Sequence, residues 1–394
     1  MAEEKDMQEE IYSPLKALLK RFLQYKGGVM GVLFVLFLWL IAIFAPLLAN
    51  GKPLLLSMGG ELSSPAFQAL FSPESPEIFV EKSFNFLLLF LPFAAVLFFL
   101  LRKKKKVFLW GALSLWALLL FLPFFITGSR MDKTPYRELV KKDPGSFAIF
   151  APIPYGPFEM VSSPYEKSSK KHLFGTDQTG RDVLARMIYG TRVSLTVGFA
   201  ATFISLFLGT ILGLLAGYKG GKLDLYLMRF VEIVICFPTF LLLLILMSIL
   251  LDSGSRQSIL LVTGVIGLTS WTGLARMVRG ETLKERNMGY IRNCESLGVP
   301  TGRILFRHLL PNVASPIFVA FTFEVAGAIL AESSLSFLGF GVQDPTSSWG
   351  ELLRQAFPDP LTYWHLMFFP GLAIFLAVCS FNGAGEALRK ALGR

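Results

Sequence analysis

Residues 279–312 read RGETLKERNMGYIRNCESLGVPTGRILFRHLLPN and lie between two long apolar runs, 258–277 and 313–333. The segment carries Arg279, Lys284, Arg286, Arg292, Arg303 and Arg307 against Glu281, Glu285 and Glu295. Its pattern is that of a folded element. Tyr290, Cys294 and Leu297 recur at i, i+4 and i+7 with Ile291 alongside, one apolar stripe on a short helix, while Arg292 and Glu295 face elsewhere. Gly298 suits the left-handed position that follows a helix, and Val299-Pro300-Thr301 then turns the chain. A second helix is expected over Arg303–Leu310, leading to Pro311 at the base of the next apolar run. The spacing therefore predicts a short amphipathic helix across one membrane face, bracketed by Gly298 and Pro311. Two readings fit it: a plain interfacial helix, or a helix that a partner's groove accepts.

The flanking runs set the class. The chain is 53% hydrophobic and 17% charged, with a mean hydropathy of +0.56, outside the soluble globular range. Crossing about 30 Å of hydrocarbon takes about twenty mostly apolar residues in a helix. Such runs lie at 28–49, 84–101, 107–127, 193–217, 230–251, 258–277, 313–333 and 365–384. The expected fold is an all-α integral membrane protein with about eight transmembrane helices. The net charge of +10 invites a nucleic-acid reading, but its placement argues for orientation instead. Cytoplasmic loops retain Lys and Arg. Basic residues cluster before the first run (Lys16, Lys20, Arg21, Lys26), between the second and third (Arg102 to Lys106), in the 279–312 segment and after the last run (Arg389, Lys390, Arg394). With eight spans and both termini cytoplasmic, all four clusters fall on one side. Lys141, Lys142, Lys167, Lys170 and Lys171 then lie outside, in a long loop that translocates regardless of charge. No nucleic acid is expected as a partner.

Elsewhere, a helix starting at Ser13-Pro14 places Ile11, Leu15, Leu18, Leu19 and Phe22 opposite Lys16, Lys20 and Arg21, which suits the inner leaflet. The first apolar run reads as a retained anchor rather than a cleaved signal. Residues 50–83 and 128–172 are rich in Pro, Ser and Gly and read as irregular loops. From His172 to Leu195, Thr176 or Asp177 is expected to cap a short helix with Val183, Leu184, Met187 and Ile188 as its stripe and Gly190 as its end. Arg181 and Asp182 are adjacent and do not read as a site. Cys236, Cys294 and Cys379 read as small packing residues.

The sequence shows no catalytic constellation. The nearest candidate for a phosphate loop, Gly217–Leu223, lacks its first Gly and has Leu223 where Ser or Thr is needed. His172, His308 and His365 are far apart, so no metal site is expected. Ionisable residues inside spans are costly and often functional. Glu232 pairs along its helix with Arg229. Glu324 and Glu332 lie eight residues apart on one side of the seventh run. They line a translocation pathway, serve as buried structure, or couple protons in a secondary transporter.

The spacing of Gly298 and Leu310-Pro311 resembles the coupling motif of ABC importer permeases: Glu-Ala-Ala, three residues, Gly, nine residues, Ile-x-Leu-Pro. The triplet is replaced here by Arg292-Asn293-Cys294, and His308 stands where Ile is usual. FGTDQTGRDVLARMIYGTRVSL (Phe174–Leu195) and LAESSLSFLGFGVQDPTSSWGELL (Leu330–Leu353) are similar to the C-type subunit of the peptide/nickel branch. ANGKPLL (Ala49–Leu55) and FAPIPYGPFEM (Phe150–Met160) resemble its oligopeptide/microcin C subgroup. The likeness covers roughly residues 172–386.

The resemblance implies a type I importer permease core with an extra N-terminal hairpin, and no enzymatic activity of its own. ATP with magnesium would sit on two partner ATPase subunits, and this chain would bind no cofactor. A second permease, an extracytoplasmic peptide-binding protein and membrane lipid complete the implied partners. Tyr290, Ile291, Arg292, Cys294, Leu297, Gly298, Leu310 and Pro311 would couple to an ATPase. The expected division is a cytoplasmic segment 1–27, a first transmembrane helix 28–49, extracytoplasmic loops 50–172 with an inserted hairpin at 84–127, a permease core 173–386 and a cytoplasmic tail 387–394. An ion-coupled secondary transporter and a membrane scaffold stay open as other classes.

Overall fold

A computed structural model describes residues 14–58, 61–101, 134–143, 145–252 and 259–393. The described chain is helical with one small sheet. Its elements are α1 (Pro14–Leu23), α2 (Lys26–Leu48), β1 (Leu55–Met58), β2 (Glu61–Ser63), α3 (Pro65–Phe71), α4 (Ile78–Leu101), α5 (Tyr136–Lys142) and β3 (Phe147–Ile149). They continue with α6 (Val183–Lys219), α7 (Gly221–Cys236), α8 (Thr239–Asp252), α9 (Ile259–Arg286), α10 (Gly289–Ser296), α11 (Thr301–Phe337), α12 (Trp349–Gln355) and α13 (Trp364–Ala391). Among the described residues α2, α4, α6, α9, α11 and α13 contain the six helices long and apolar enough to cross a membrane. The run at 107–127 lies outside the described residues.

Four local expectations are corrected. The fifth apolar run is a broken pair, α7 and α8, bent by 83°. Pro238 offers no N–H and holds Phe237 in an extended conformation, so one helix ends there and another begins. The expected short helix ending at Gly190 is instead the first turns of α6, which runs straight through. Its cap is Asp182, whose Oδ1 accepts from the Ala185 N–H at 2.9 Å. Gly190 is there for closeness: a Cβ would sit 3.4 Å from Trp349 and from the Ser348 backbone. The loops at 50–83 and 128–172 are not wholly irregular. They meet in an antiparallel sheet of order β2-β1-β3, with Leu55 opposite Ile149 and Ser57 opposite Phe147. Finally, Cys236 and Cys379 are exposed and only Cys294 is half-buried.

The described residues cluster in two units. One comprises those within 1–36, 197–341 and 373–394. Here α6 and α9 meet along a glycine seam: a Cβ at Gly209, Gly213 or Gly217 would lie 2.9, 2.7 and 2.6 Å from Leu274, Val278 and Thr282 respectively. Four-residue spacing puts the three glycines on one face. Apolar lipid supplies no hydrophobic drive for helix pairing, so close backbone approach and dispersion hold such seams.

The other unit comprises residues within 37–196 and 342–372. Pro46 in α2 cannot donate to the Ala42 carbonyl, and the Arg192 Nε from α6 donates to it at 2.6 Å. The same guanidinium bonds Asn85 at 3.0 Å and pairs with Glu81, both on α4. One buried arginine thus ties α2, α4 and α6.

Candidate functional site

The 279–312 segment folds within the first unit. Helix α10 has one deep anchor, Ile291, fully buried in a cluster with Leu214, Leu274, Val278, Ile304, Leu305, Leu309, Val313 and Ile317. Half-buried Cys294 and Val299 pack against the same cluster. The expected stripe is therefore split. Leu297 points outward at 82% exposure, and Tyr290 is exposed too, at 36%. Arg292 is exposed. The physical reason is angle: Leu297 follows Ile291 by six residues, about 120° away from it around the helix, and Val299 across the turn packs on the cluster instead.

That turn is as the sequence predicts. Gly298 has φ +70°, and its N–H bonds the Glu295 carbonyl while the Val299 N–H bonds that of Cys294, both at 3.0 Å. This is the Schellman closure of a helix end. The second helix departs from expectation. It does not stop at Leu310 but runs on as α11 from Thr301 through Pro311 to Phe337. The Pro311 ring would collide with the carbonyl four residues back in a regular helix. A π-helical stretch, Ile304–Leu309, precedes it and widens the turn.

Polar contacts hold α10 in place. The Tyr290 hydroxyl donates to Glu285 at 2.7 Å and accepts from Asn312 Nδ2 at 3.1 Å. Partial burial and the Glu285 carboxylate push its pKa up to about 12, so the hydroxyl stays protonated. Arg279 on α9 forks onto Asp224 of α7, with Nη2 to Oδ2 at 2.6 Å. Glu324 and Glu332 both lie on α11. Glu324 accepts from Ser205 of α6 at 2.8 Å. Glu332 is fully buried and accepts from Ser336 at 2.8 Å and Ser333 at 3.3 Å. Arg229 and Glu232 pair at 2.7 Å on the exposed side of α7, as their spacing implies.

The second unit holds a cluster that sequence reasoning missed. Asp177 accepts at Oδ2 from Arg181 Nε (2.7 Å) and Arg186 Nη1 (2.9 Å), and at Oδ1 from the N–H groups of Thr179 and Arg181. Arg186 Nη2 reaches Glu351 at 2.8 Å, and Gln355 donates to the other Glu351 oxygen at 2.6 Å. Both arginines also meet Asp344, Arg181 closely and Arg186 at 3.3 Å. Burial pushes the Asp177 pKa up, but the two guanidiniums and the N–H donors outweigh it and hold the carboxyl below its ordinary value. For Glu351 burial wins over Arg186 and Gln355, and its pKa is raised. Beside this network the His172 Nδ1 lies 2.8 Å from Asp182, its ring 4.7 Å from that of Tyr155. The missed signal was in view: Arg186 interrupts the apolar stripe of Val183, Leu184, Met187 and Ile188, and Asp177 and Arg181 are four apart.

Residues 209–394 match the family described as binding-protein-dependent transport system inner membrane component. Residues 13–57 match the N-terminal TM domain of oligopeptide transport permease C. The chain is 43% identical over 221 residues to the oligopeptide transport system permease protein OppC of Haemophilus influenzae, covering 56% of this chain and 70% of that one. It is 42% identical over 225 residues to the dipeptide transport system permease protein DppC of Bacillus subtilis, covering 57% and 69%. It is 40% identical over 227 residues to the glutathione transport system permease protein GsiD of Pectobacterium atrosepticum, covering 58% and 74%.

Proposed function

The chain belongs to the family of binding-protein-dependent transport system inner membrane components, and on that premise we propose that it is the membrane-spanning permease subunit of an ATP-driven peptide importer. Two ATPase subunits carry the ATP and magnesium, a second permease completes the pathway, and an extracytoplasmic binding protein delivers the peptide. Relatives named for oligopeptide, dipeptide and glutathione transport support a peptidic substrate. Both termini and α10 lie on the cytoplasmic side, where Lys16, Lys20, Arg21, Arg389 and Lys390 accumulate.

The observation that carries the coupling role is the division of labour along α10. Ile291 is sunk in a cluster shared with Ile304, Leu305, Leu309 and Val313 of α11. Leu297, with Tyr290, Arg292 and the Gly298 turn, faces outward. An ATPase groove gripping that outer face displaces α10, and the shared cluster passes the displacement to α11. Leu310 and Pro311 then act inside the transmitting helix rather than at its end. Glu324 and Glu332, farther along α11, stand as the pathway candidates. For ATP to shift the pathway, the ATP-bound grip must favour one position of α10 over another.

The test is reconstitution with the partner subunits in liposomes. Leu297→Asp is expected to abolish uptake and peptide-stimulated ATP hydrolysis, while membrane insertion stays intact. Substitution of so exposed a side chain changes stability by only about 0.5 kcal/mol. Normal uptake by that variant would remove the coupling role.

A further inference from the structure

We propose that Asp344 is an internal stand-in for the terminal carboxylate of a peptide, and that Arg181 and Arg186 beneath it form a carboxylate-receiving subsite of the permease. The inference rests on the peptide-importer reading.

Charge balance is the first argument. The two guanidiniums are already matched by Asp177 and Glu351, both buried and both hydrogen-bonded by the arginines. Asp344 is a third carboxylate and is not needed to neutralise the pair. Accessibility is the second. Arg181 and Arg186 side chains are 3% and 0% exposed, and Asp177 is 0%, whereas Asp344 is 41% exposed. Among the described residues its place is therefore the exposed part of the network.

Geometry is the third argument. Both arginines converge on one oxygen, Asp344 Oδ1, and the Arg186 contact is long at 3.3 Å. Charge-assisted N–H to carboxylate bonds settle near 2.7–2.9 Å and are strongest when both oxygens are used. Asp344 is thus held closely by Arg181 but loosely by Arg186, and through one oxygen, so a carboxylate that gives each arginine an oxygen would suit the pair better. The Arg186 Nε is also buried with no hydrogen-bond acceptor among the described residues. Asp344 lies in residues 338–348, outside any helix or strand, so its departure breaks no helix. A carboxylate on a short flexible chain meets these requirements. In the proposed orientation the subsite faces the side from which peptide is delivered.

The test uses the full complex in nanodiscs without its binding protein, titrated calorimetrically with N-acetyl-dialanine, its C-terminal amide, and acetate. Asp344→Ala removes the internal competitor and leaves Asp177 and Glu351 to balance the arginines. It is expected to tighten N-acetyl-dialanine binding about tenfold and leave the amide unchanged. Adding Arg181→Lys to that variant should erase the gain, and the melting temperature of each variant shows that it is folded. An equal gain for the amide, or none for the acid, overturns the subsite. Acetate binding as tightly as the acid overturns the peptide assignment. Loss of peptide uptake by the wild-type complex would instead strike the importer reading, so the two failures are distinguishable.

Discussion

The seam between α6 and α9 and the network around Arg186 hold helices together by opposite means. In the seam, Gly209, Gly213 and Gly217 let backbones approach until a single added Cβ would overlap Leu274, Val278 or Thr282. In the network, Arg186 is wholly buried yet is held by Asp177 and Glu351. The seam lies between spans, where lipid is as apolar as any side chain and only contact distance distinguishes partners. The network lies at the start of α6, among loops and a short helix, where burying a charge is tolerable only with compensation. Shape sets one register and charge the other, and the two should fail differently.

The largest failure is expected from breaking the charge balance. Arg186→Met leaves buried Glu351 without its arginine and Asp177 with Arg181 alone, at about 3–5 kcal/mol. The check is thermal melting of the purified chain in detergent, and a loss under about 1 kcal/mol would mean that water enters the network. Next comes the seam. Gly213→Val places a side chain 2.7 Å from Val278 Cβ and the Ala275 carbonyl, an overpacking costing about 1–3 kcal/mol. Val278→Ala in the same chain should restore part of it, whereas the same rescue does nothing for Arg186→Met.

The smallest effect is in pH dependence. Asp177 is held below its ordinary pKa of 3.8, so its contribution is present above that value and lost as pH falls through the depressed one. Glu351 is raised above 4.5, so its contribution is present below that value and lost as pH rises through the raised one. Melting temperature against pH should therefore flatten on the acid side in Asp177→Asn and toward neutrality in Glu351→Gln. Gly213→Val should shift the whole curve without changing its shape. A changed shape in that variant would show that seam and network are coupled.

Much of the 279–312 segment was legible. Gly298 announces its positive φ because few other residues adopt it cheaply, and the i, i+4 spacing of Tyr290 and Cys294 gives the helix. Which residue anchors it was not legible. Leu297 is the more obvious apolar candidate, but Ile291 is buried because the cluster it meets comes from α9 and α11. Pro311 reads as a stop and is not one, since six π-helical residues before it absorb the missing bond. The break at Pro238 does not show in hydropathy, because apolar composition continues across it and hydropathy is blind to direction.

Composition and run length by themselves determined a multi-span helical membrane protein, and the placement of Gly298 determined a short capped helix between two spans. Those are local properties, set by lipid thickness and backbone sterics. The tertiary structure alone decided which face of α10 is buried, that α11 is continuous from Thr301, and that Asp177, Arg181, Arg186, Asp344 and Glu351 form one network. The face of α10 depends on residues of α6, α9 and α11, and the network on contacts more than a hundred positions apart, such as Arg186 and Glu351. Hydrophobic periodicity carries no information about pairing over that separation.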